Sequence, residues 1–368
     1  MNGVLTSAIC TLIVMSLGSF LEESSLNLTV VALVSILTVA FSLSVGIWSW
    51  VGIWRSASKT NSGWAALAKA SVVLGVLGQL GQASSLWEWG KETAQLAVGG
   101  DAIGDMARIE VIGQELRITG PLTNGIGSKV NVLLGQHPEI TAVRINSIGG
   151  RLYEAEKIGD LVSDKGLNVI VDQDCSSACT VILLSGRMRA LEADSGVGFH
   201  RPTYPGLNQT ELNKLADDTA ATYRRLGLRS SFINRVLEVS PDDMWYPKEQ
   251  ELFEYGVLNG FTKERIANDM KLDTERENGR TPHQVDEVTV LERVEHDGTA
   301  MRYFYRLDAD ASQLPSSFST SIESSIKKEL CSRPMMPEFF SSGARYQHIY
   351  LDRAGKRAAA VTINVCEQ

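Results

Sequence analysis

Two long runs without a charged residue lie at the beginning of the chain and constrain its fold more than any other feature. Val4 to Leu21 is about as long as a helix that crosses a bilayer, and Leu28 to Trp54 exceeds that length. A third apolar segment, Trp64 to Trp87, is weaker because it contains a lysine and two glutamines, but its terminal tryptophans are typical of interfacial anchors. The sequence therefore predicts a membrane domain of three transmembrane helices over residues 1–90.

The loops between these segments predict how the chain crosses the membrane. Arg55 and Lys59 make the loop 55–63 basic, whereas the loop 22–27 carries two glutamates. Basic loops stay in the cytoplasm, so three spans would place the rest of the chain on the periplasmic side of a bacterial inner membrane. If the third segment is instead an amphipathic surface helix, the rest of the chain would lie in the cytoplasm.

The overall charge of the chain limits its partners. Asp and Glu number 43 against 35 Lys and Arg, which gives a formal net charge of −8, and no basic block is present. Nucleic-acid binding draws much of its affinity from basic side chains that neutralise phosphates. We therefore expect the lipid bilayer and a peptide or protein substrate as partners, and no nucleic acid.

The middle of the chain, residues 100–270, alternates β-branched runs with patterns of helical period. Such alternation is typical of an α/β unit with a largely parallel sheet. A turn at Gly113-Gln114 divides the first β-branched run into two strands. The predicted strands are 107–119, 142–145 and 168–171, and the predicted helices are 125–134, 152–162, 178–184, 210–226, 231–237 and 248–255.

The last hundred residues predict a small α+β domain over 285–368. The charged, turn-rich segment Lys271 to Asp286 is typical of a linker. Strand patterns on either side of Asp297-Gly298 predict a hairpin, and a helix and two further strands follow. Small cores are marginally stable, so a disulfide between Cys331 and Cys366 is expected. No catalytic constellation is visible there, which favours a role in substrate recognition or assembly.

Three strand ends in the middle region carry groups that acyl transfer needs. Ser177 lies where a strand turns into an apolar helix, and free N–H groups there favour negative charge. His200 ends a later strand and can act as a general base near neutral pH. Gly150 has no side chain, so its N–H can approach a substrate closely. Each residue alone also fits a cap, a hydrogen-bonded histidine or a plain turn.

Together these segments resemble the Clp protease/crotonase superfamily, specifically the Clp proteolytic subunit and the membrane-bound signal peptide peptidase A group. The resemblance covers about residues 106–262, with Ile148 where that family commonly has proline. The segments that carry it are INSIGG at 145–150, Ser177-Ala178 before an apolar helix, GFHRP at 198–202 and EYGVL at 254–258.

The resemblance implies a Ser–His–Asp triad. Ser177 would be the nucleophile, His200 the base and Asp243 the acid. Asp242 is kept as a second candidate for the acid, because insertions blur the alignment around it. A triad is favoured over the Ser–Lys dyad of some relatives by the clear histidine segment.

The same resemblance implies the rest of the site and its reaction. The backbone N–H groups of Gly150 and Ala178 would form the oxyanion hole. The chain would be a serine endopeptidase that hydrolyses periplasmic or membrane proteins as a homo-oligomer, without cofactor or metal. The alternative is a catalytically silent Clp-fold membrane scaffold or assembly protein, because a fold does not guarantee activity. Crotonase-type acyl-CoA chemistry fits less well.

Two cysteines, Cys175 and Cys179, flank Ser177, and they distinguish this sequence from that of the soluble Clp subunit. They could form a disulfide that braces the nucleophile turn, remain as buried thiols, or bind zinc together with His200. We favour the disulfide. Two disulfides, Cys175 with Cys179 and Cys331 with Cys366, would fit an oxidising compartment.

Overall fold

The computed structural model describes residues 28–81, 87, 90–91, 93–95, 97–98, 100–204 and 207–366. Contacts along the chain divide it into two units. The first unit comprises residues 1–106 and 202–217, and the second comprises residues 107–201 and 218–368. The division into three domains remains a prediction.

The first unit contains two apolar helices, α1 (Leu28–Ala57) and α2 (Gly63–Gly81), which pack against each other. The indole of Trp50 lies close to Gly75, where a Cβ atom would be only 3.6 Å from the ring. Within α1, Ile36–Ala57 is long and apolar enough to cross a membrane, whereas the apolar part of α2, Gly63–Leu77, is shorter. The described residues thus contain one helix of membrane-spanning length.

The other predicted spans have different outcomes. Val4 to Leu21 lies outside the described residues. At the third segment the described helix covers Gly63–Gly81, and a span that reaches Trp87 stays a prediction. Both described helices nevertheless present large apolar side chains on their surfaces, which soluble monomers rarely do over a contiguous area. The exposed apolar residues include Leu33, Leu37, Phe41, Ile47, Trp48, Trp54, Trp64, Leu67 and Leu74.

The second unit begins with a six-stranded sheet. Strands β1 (Arg108–Ile112) and β2 (Glu115–Thr119) form the predicted hairpin, and Gly113 has a φ of 59° at its turn. The order continues through β3 (Ala142–Ser147), β4 (Asn168–Ser176) and β5 (Arg189–Leu191), and every neighbouring pair from β2 onward is parallel. The prediction of a largely parallel α/β sheet is therefore confirmed.

Helices connect the parallel strands, and the apolar faces of these helices cover the sheet. Helix α4 (Leu152–Asp164) follows β3 and buries Ala155, Ile158 and Val162 completely, at the spacing of one helix face. The elements α3 (Ile126–Gln136), α5 (Cys179–Leu184), α6 (Gln209–Arg225), α7 (Ser230–Glu238) and α8 (Glu249–Glu254) lie close to the predicted helices.

An irregularity in β4 lets this strand pair with two different neighbours. Ile145 of β3 pairs with Val171, but two positions later Ser147 pairs with Cys175, so β4 contains two extra residues there. Before the irregularity β4 pairs with β5, and after it β4 pairs with β6 (Gly196–Gly198). Bulges of this kind redirect a strand, and here the end of β4 lies beside the segment that leads to His200.

The segment 271–286 is not a linker, contrary to the prediction. Most of it belongs to α9 (Lys263–Asn278) and to β7 (His283–Asp286). Ile266, Met270 and Thr274 lie one helical turn apart and are buried, while the charged side chains occupy the other faces. The many charged residues of this helix give it the composition of a loop, although one narrow face of the helix packs against a core.

The buried face of α9 packs against a second sheet, which has five strands. Its order is β11 (Arg357–Ile363), β10 (Arg345–Leu351), β9 (Ala300–Leu307), β8 (Thr289–Asp297) and β7, and only the pair β9–β10 is parallel. The predicted hairpin at Gly298 is confirmed. Besides α9, this part of the chain contains α10 (Phe318–Cys331) and α11 (Met336–Ser341). The predicted disulfide joins Cys331 to Cys366, with 5.6 Å between their Cα atoms.

Candidate active site

Ser177 lies on a tight turn between β4 and α5, with a φ of 55°. The left-handed region is unfavourable for a residue with a side chain, and it is retained where the surroundings enforce it. The Ser177 N–H donates to the carbonyl of Gly198 over 2.9 Å, which ties the turn to β6. Its carbonyl accepts from the Thr180 N–H over 3.0 Å and from Thr180 Oγ1 over 2.7 Å. This strand-to-helix geometry exposes a serine at a sharp turn.

The predicted disulfide between Cys175 and Cys179 closes this turn. Both half-cystines are fully buried, and their Cα atoms are 5.2 Å apart across Ser177. A zinc site would need thiolates, which the disulfide removes, so the zinc alternative and the free-thiol alternative are both wrong. No group of three or more metal-binding side chains occurs among the residues that the structure describes.

His200 approaches Ser177 because their strands are paired neighbours. Ser176 and Gly198 are partners in the β4–β6 ladder, so the next residues of both strands leave the sheet together. His200 Nε2 lies 2.6 Å from Ser177 Oγ. A serine hydroxyl at this distance can donate to a neutral imidazole, which is the geometry that general-base catalysis requires. The structure thus brings together two side chains that are 23 positions apart.

The environment of His200 favours the neutral imidazole. Burial lowers its pKa below the ordinary value of 6.5, because desolvation penalises the charged ring. The backbone carbonyl of Pro241 lies near the ring and opposes this shift as the smaller effect. At neutral pH His200 is therefore ready to accept a proton.

The predicted acid does not join this pair, which corrects the expected triad geometry. Within the described residues, His200 Nδ1 is buried and has no hydrogen-bond partner, so neither Asp242 nor Asp243 bonds to it. Both aspartates are exposed. The Asp243 N–H donates to the Ser240 carbonyl over 3.0 Å, in a turn that directs a backbone carbonyl, that of Pro241, towards the histidine.

The glycine turn after β3 lies directly against the serine turn. A Cβ atom on Gly149 would lie 2.8 Å from Ser177 Cβ and 2.9 Å from Ala178 N, and its φ is 94°. Gly150, at a φ of 143°, has no room for a side chain beside the Leu122 carbonyl. Among the described residues, the N–H groups of Gly150 and Ala178 donate to no protein acceptor. Both donors are therefore available to a substrate oxygen.

Two contributors to the site, Thr180 and Tyr223, were not singled out from the sequence, and Gly149 was recognised only as part of a glycine turn. Gly149 provides the close approach, Thr180 holds the Ser177 carbonyl, and Tyr223 contacts Thr180 from α6. No pattern connects Tyr223 to a residue 43 positions earlier in the chain.

Comparisons with known proteins give limited similarity. No family model and no curated protein matches the chain. Solved structures similar to it include ClpP1 from Listeria monocytogenes, with a TM-score of 0.36, 18% identity, and coverage of 40% of this chain and 91% of that chain. A mutant of the same protein gives a TM-score of 0.35 at the same identity and coverage. A Pseudomonas aeruginosa protein described as secreted gives 0.25 at 13% identity, covering 28% of this chain and 91% of its own. Similarity at this level carries no information about activity.

Proposed function

We propose that the chain is a membrane-anchored serine endopeptidase whose chemistry is carried out by Ser177 and His200. The observation that carries this proposal is the 2.6 Å distance between His200 Nε2 and Ser177 Oγ. Ser177 lies on a left-handed strand-to-helix turn, beside two backbone N–H groups that have no acceptor among the described residues. A base, a nucleophile and oxyanion donors at one point are the parts that acyl transfer requires.

The proposed reaction has two stages. Ser177 Oγ forms a bond to the substrate carbonyl carbon as its proton passes to His200 Nε2. The N–H groups of Gly150 and Ala178 donate to the oxyanion, and the C–N bond then breaks as His200 returns the proton to the amine. Water attacks the acyl-enzyme while His200 takes its proton. The Oγ–C bond then breaks, and the acid product leaves with the serine protonated again.

We further propose that the catalytic unit lies outside the cytoplasm. The support is the helix of membrane-spanning length among the described residues, the exposed apolar surfaces of α1 and α2, and two disulfides, which persist in oxidising compartments. Three spans with the N-terminus inside would give this placement. The resemblance to the Clp group favours peptide substrates and a homo-oligomer that shelters the sites.

In this proposal Ser177 and His200 act as a pair in the resting enzyme. Asp243 would join them only if the turn 240–243 moved on substrate binding, since its carboxylate is exposed here. Active-site hydrogen bonds often tighten only in the substrate complex, so a movement of this kind is chemically reasonable.

Fluorophosphonate labelling tests the proposal. We expect the full-length protein in detergent or vesicles to be labelled, with mass spectrometry locating the adduct on Ser177. Ser177→Ala should lose the label, while Ser163→Ala, which removes an exposed hydroxyl on α4, should keep it. Cleavage of a peptide library by the wild type, but not by Ser177→Ala, would identify the activity as peptidase. If the wild type takes no label at any pH from 5 to 9, the scaffold alternative is favoured.

A further inference from the structure

A chain of hydroxyl groups leads from the interior to the turn that carries Ser177. Tyr223 on α6 and Thr180 on α5 are both buried, with 4% and 0% of their surfaces exposed. The Tyr223 hydroxyl lies 2.8 Å from Thr180 Oγ1, which lies 2.7 Å from the Ser177 carbonyl oxygen. The three groups are consecutive members of one hydrogen-bonded chain.

The donor and acceptor of each hydrogen bond in this series follow from the number of hydroxyl protons available. A carbonyl oxygen can only accept, so the single hydroxyl proton of Thr180 is donated to Ser177. The Tyr223 hydroxyl must then donate to Thr180 Oγ1. Burial raises the pKa of Tyr223 to about 12, so it keeps this proton over the whole working range of pH. Hydrogen bonds linked in this way polarise and strengthen one another.

The Ser177 carbonyl belongs to the same peptide group as the Ala178 N–H. A trans peptide is planar, so its carbonyl and N–H point in opposite directions, and fixing one fixes the other. Two donors of Thr180, its N–H and its Oγ1, hold the carbonyl at 3.0 and 2.7 Å. The Ala178 N–H at the opposite side has no acceptor among the described residues.

We infer that Thr180 and Tyr223 are positioning residues that aim the Ala178 N–H at the developing oxyanion. This inference rests on the proposed function, because it assigns a purpose to one of the two oxyanion donors. Neither residue touches the substrate, and both act through the peptide group between Ser177 and Ala178.

A simpler explanation is that the two hydroxyls only stabilise the fold. Threonines in helices often donate to a carbonyl three or four residues earlier, and buried tyrosines need a partner. A role confined to stability would lower the melting temperature without changing the chemistry of the molecules that remain folded. A positioning role would slow the chemical step itself, and this difference can be measured.

The test uses three variants of the full-length protein. Thr180→Val removes the hydroxyl and keeps the shape, Thr180→Ser keeps the hydroxyl, and Tyr223→Phe keeps the ring that packs edge-on against Phe199. Phosphonylation by a fluorophosphonate is followed as a function of its concentration, which separates the maximal rate from the half-saturating concentration. All measurements are made well below the melting temperature of each variant.

We expect Thr180→Val to reduce the maximal rate about tenfold, because complete loss of one oxyanion donor costs roughly 100-fold or more and this donor is only misdirected. Tyr223→Phe should reduce the rate about threefold. Thr180→Ser should restore the wild-type rate. The half-saturating concentration and the pH dependence should stay unchanged in all three.

Two results would overturn the inference while leaving the proposed function intact. The first is that the wild type is labelled and that Thr180→Val and Tyr223→Phe both react at the wild-type rate. The other, should Thr180→Val not fold, is a folded Tyr223→Phe that reacts at the wild-type rate. A wild type that takes no label overturns the proposed function and this inference together.

Discussion

At the scale of the residue, the His200 imidazole determines how the proposed reaction depends on pH. Only the neutral ring can accept the Ser177 proton, and burial lowers its pKa below 6.5. We therefore expect the fluorophosphonate reaction to rise with pH through a midpoint below 6.5 and to be level between about pH 7 and 8. His200→Ala should be inactive throughout this range. A midpoint above 6.5 would show that a negative group, which is not found beside the ring among the described residues, stabilises the charged ring.

The two exposed aspartates beside Pro241 provide a test of the missing acid. Neither carboxylate bonds to His200 in the structure, so Asp243→Asn and Asp242→Asn should each react within about threefold of the wild-type rate. The two variants serve as controls for each other, because both remove one charge from the same turn. A loss on the order of 1,000-fold in Asp243→Asn alone would restore the Ser–His–Asp triad and imply that the turn moves.

At the scale of the element, the site depends on two turns that touch. Gly149 can approach the serine turn because it lacks a side chain, and a Cβ there would lie 2.5 Å from the Ser176 carbonyl oxygen. Gly149→Ala must therefore displace the turn that carries Ser177, and we expect the labelling rate to fall roughly 10- to 100-fold. The measurement is the maximal labelling rate of protein that circular dichroism shows to be folded.

Gly227 provides a matched control for the glycine turn. Its φ of 92° is close to the 94° of Gly149, but a Cβ there would meet no atom within 4 Å. Both alanine variants should lose about 1 kcal/mol of stability from the left-handed backbone, whereas only Gly149→Ala should lose reactivity. Equal labelling rates in the two variants would show that the contact between the turns does not shape the site.

At the scale of the whole molecule, the number of membrane spans decides where the proposed reaction takes place. We expect alkaline phosphatase fused after Gly90 to be active, because an odd number of spans from a cytoplasmic N-terminus exports it. The matched control is a fusion after Thr60, in the basic loop, which should be inactive. An inactive fusion after Gly90 would place the catalytic unit in the cytoplasm, where the two disulfides would be difficult to explain.

Properties of short segments could be predicted from the sequence. Apolar period and β-branched runs indicated most of the parallel strands, though not β5, most of the helices and the hairpins at Gly113 and Gly298, because these patterns reflect which side of a segment is buried. The same local logic placed Ser177 and His200 at the ends of strands. Even so, the segment 271–286 was assigned wrongly, since the narrow buried face of α9 is recognisable only beside the sheet that covers it.

The tertiary structure alone decided which atoms meet at the site. Two extra residues in β4 bring Ser177 beside His200, the backbone carbonyl of Pro241 rather than a carboxylate lies near the imidazole, and Tyr223 reaches Thr180 from another helix. The physical reason is that spacing along the chain fixes the face of an element on which a side chain lies. The distance between two faces depends on how the elements pack, and packing is a property of the whole fold.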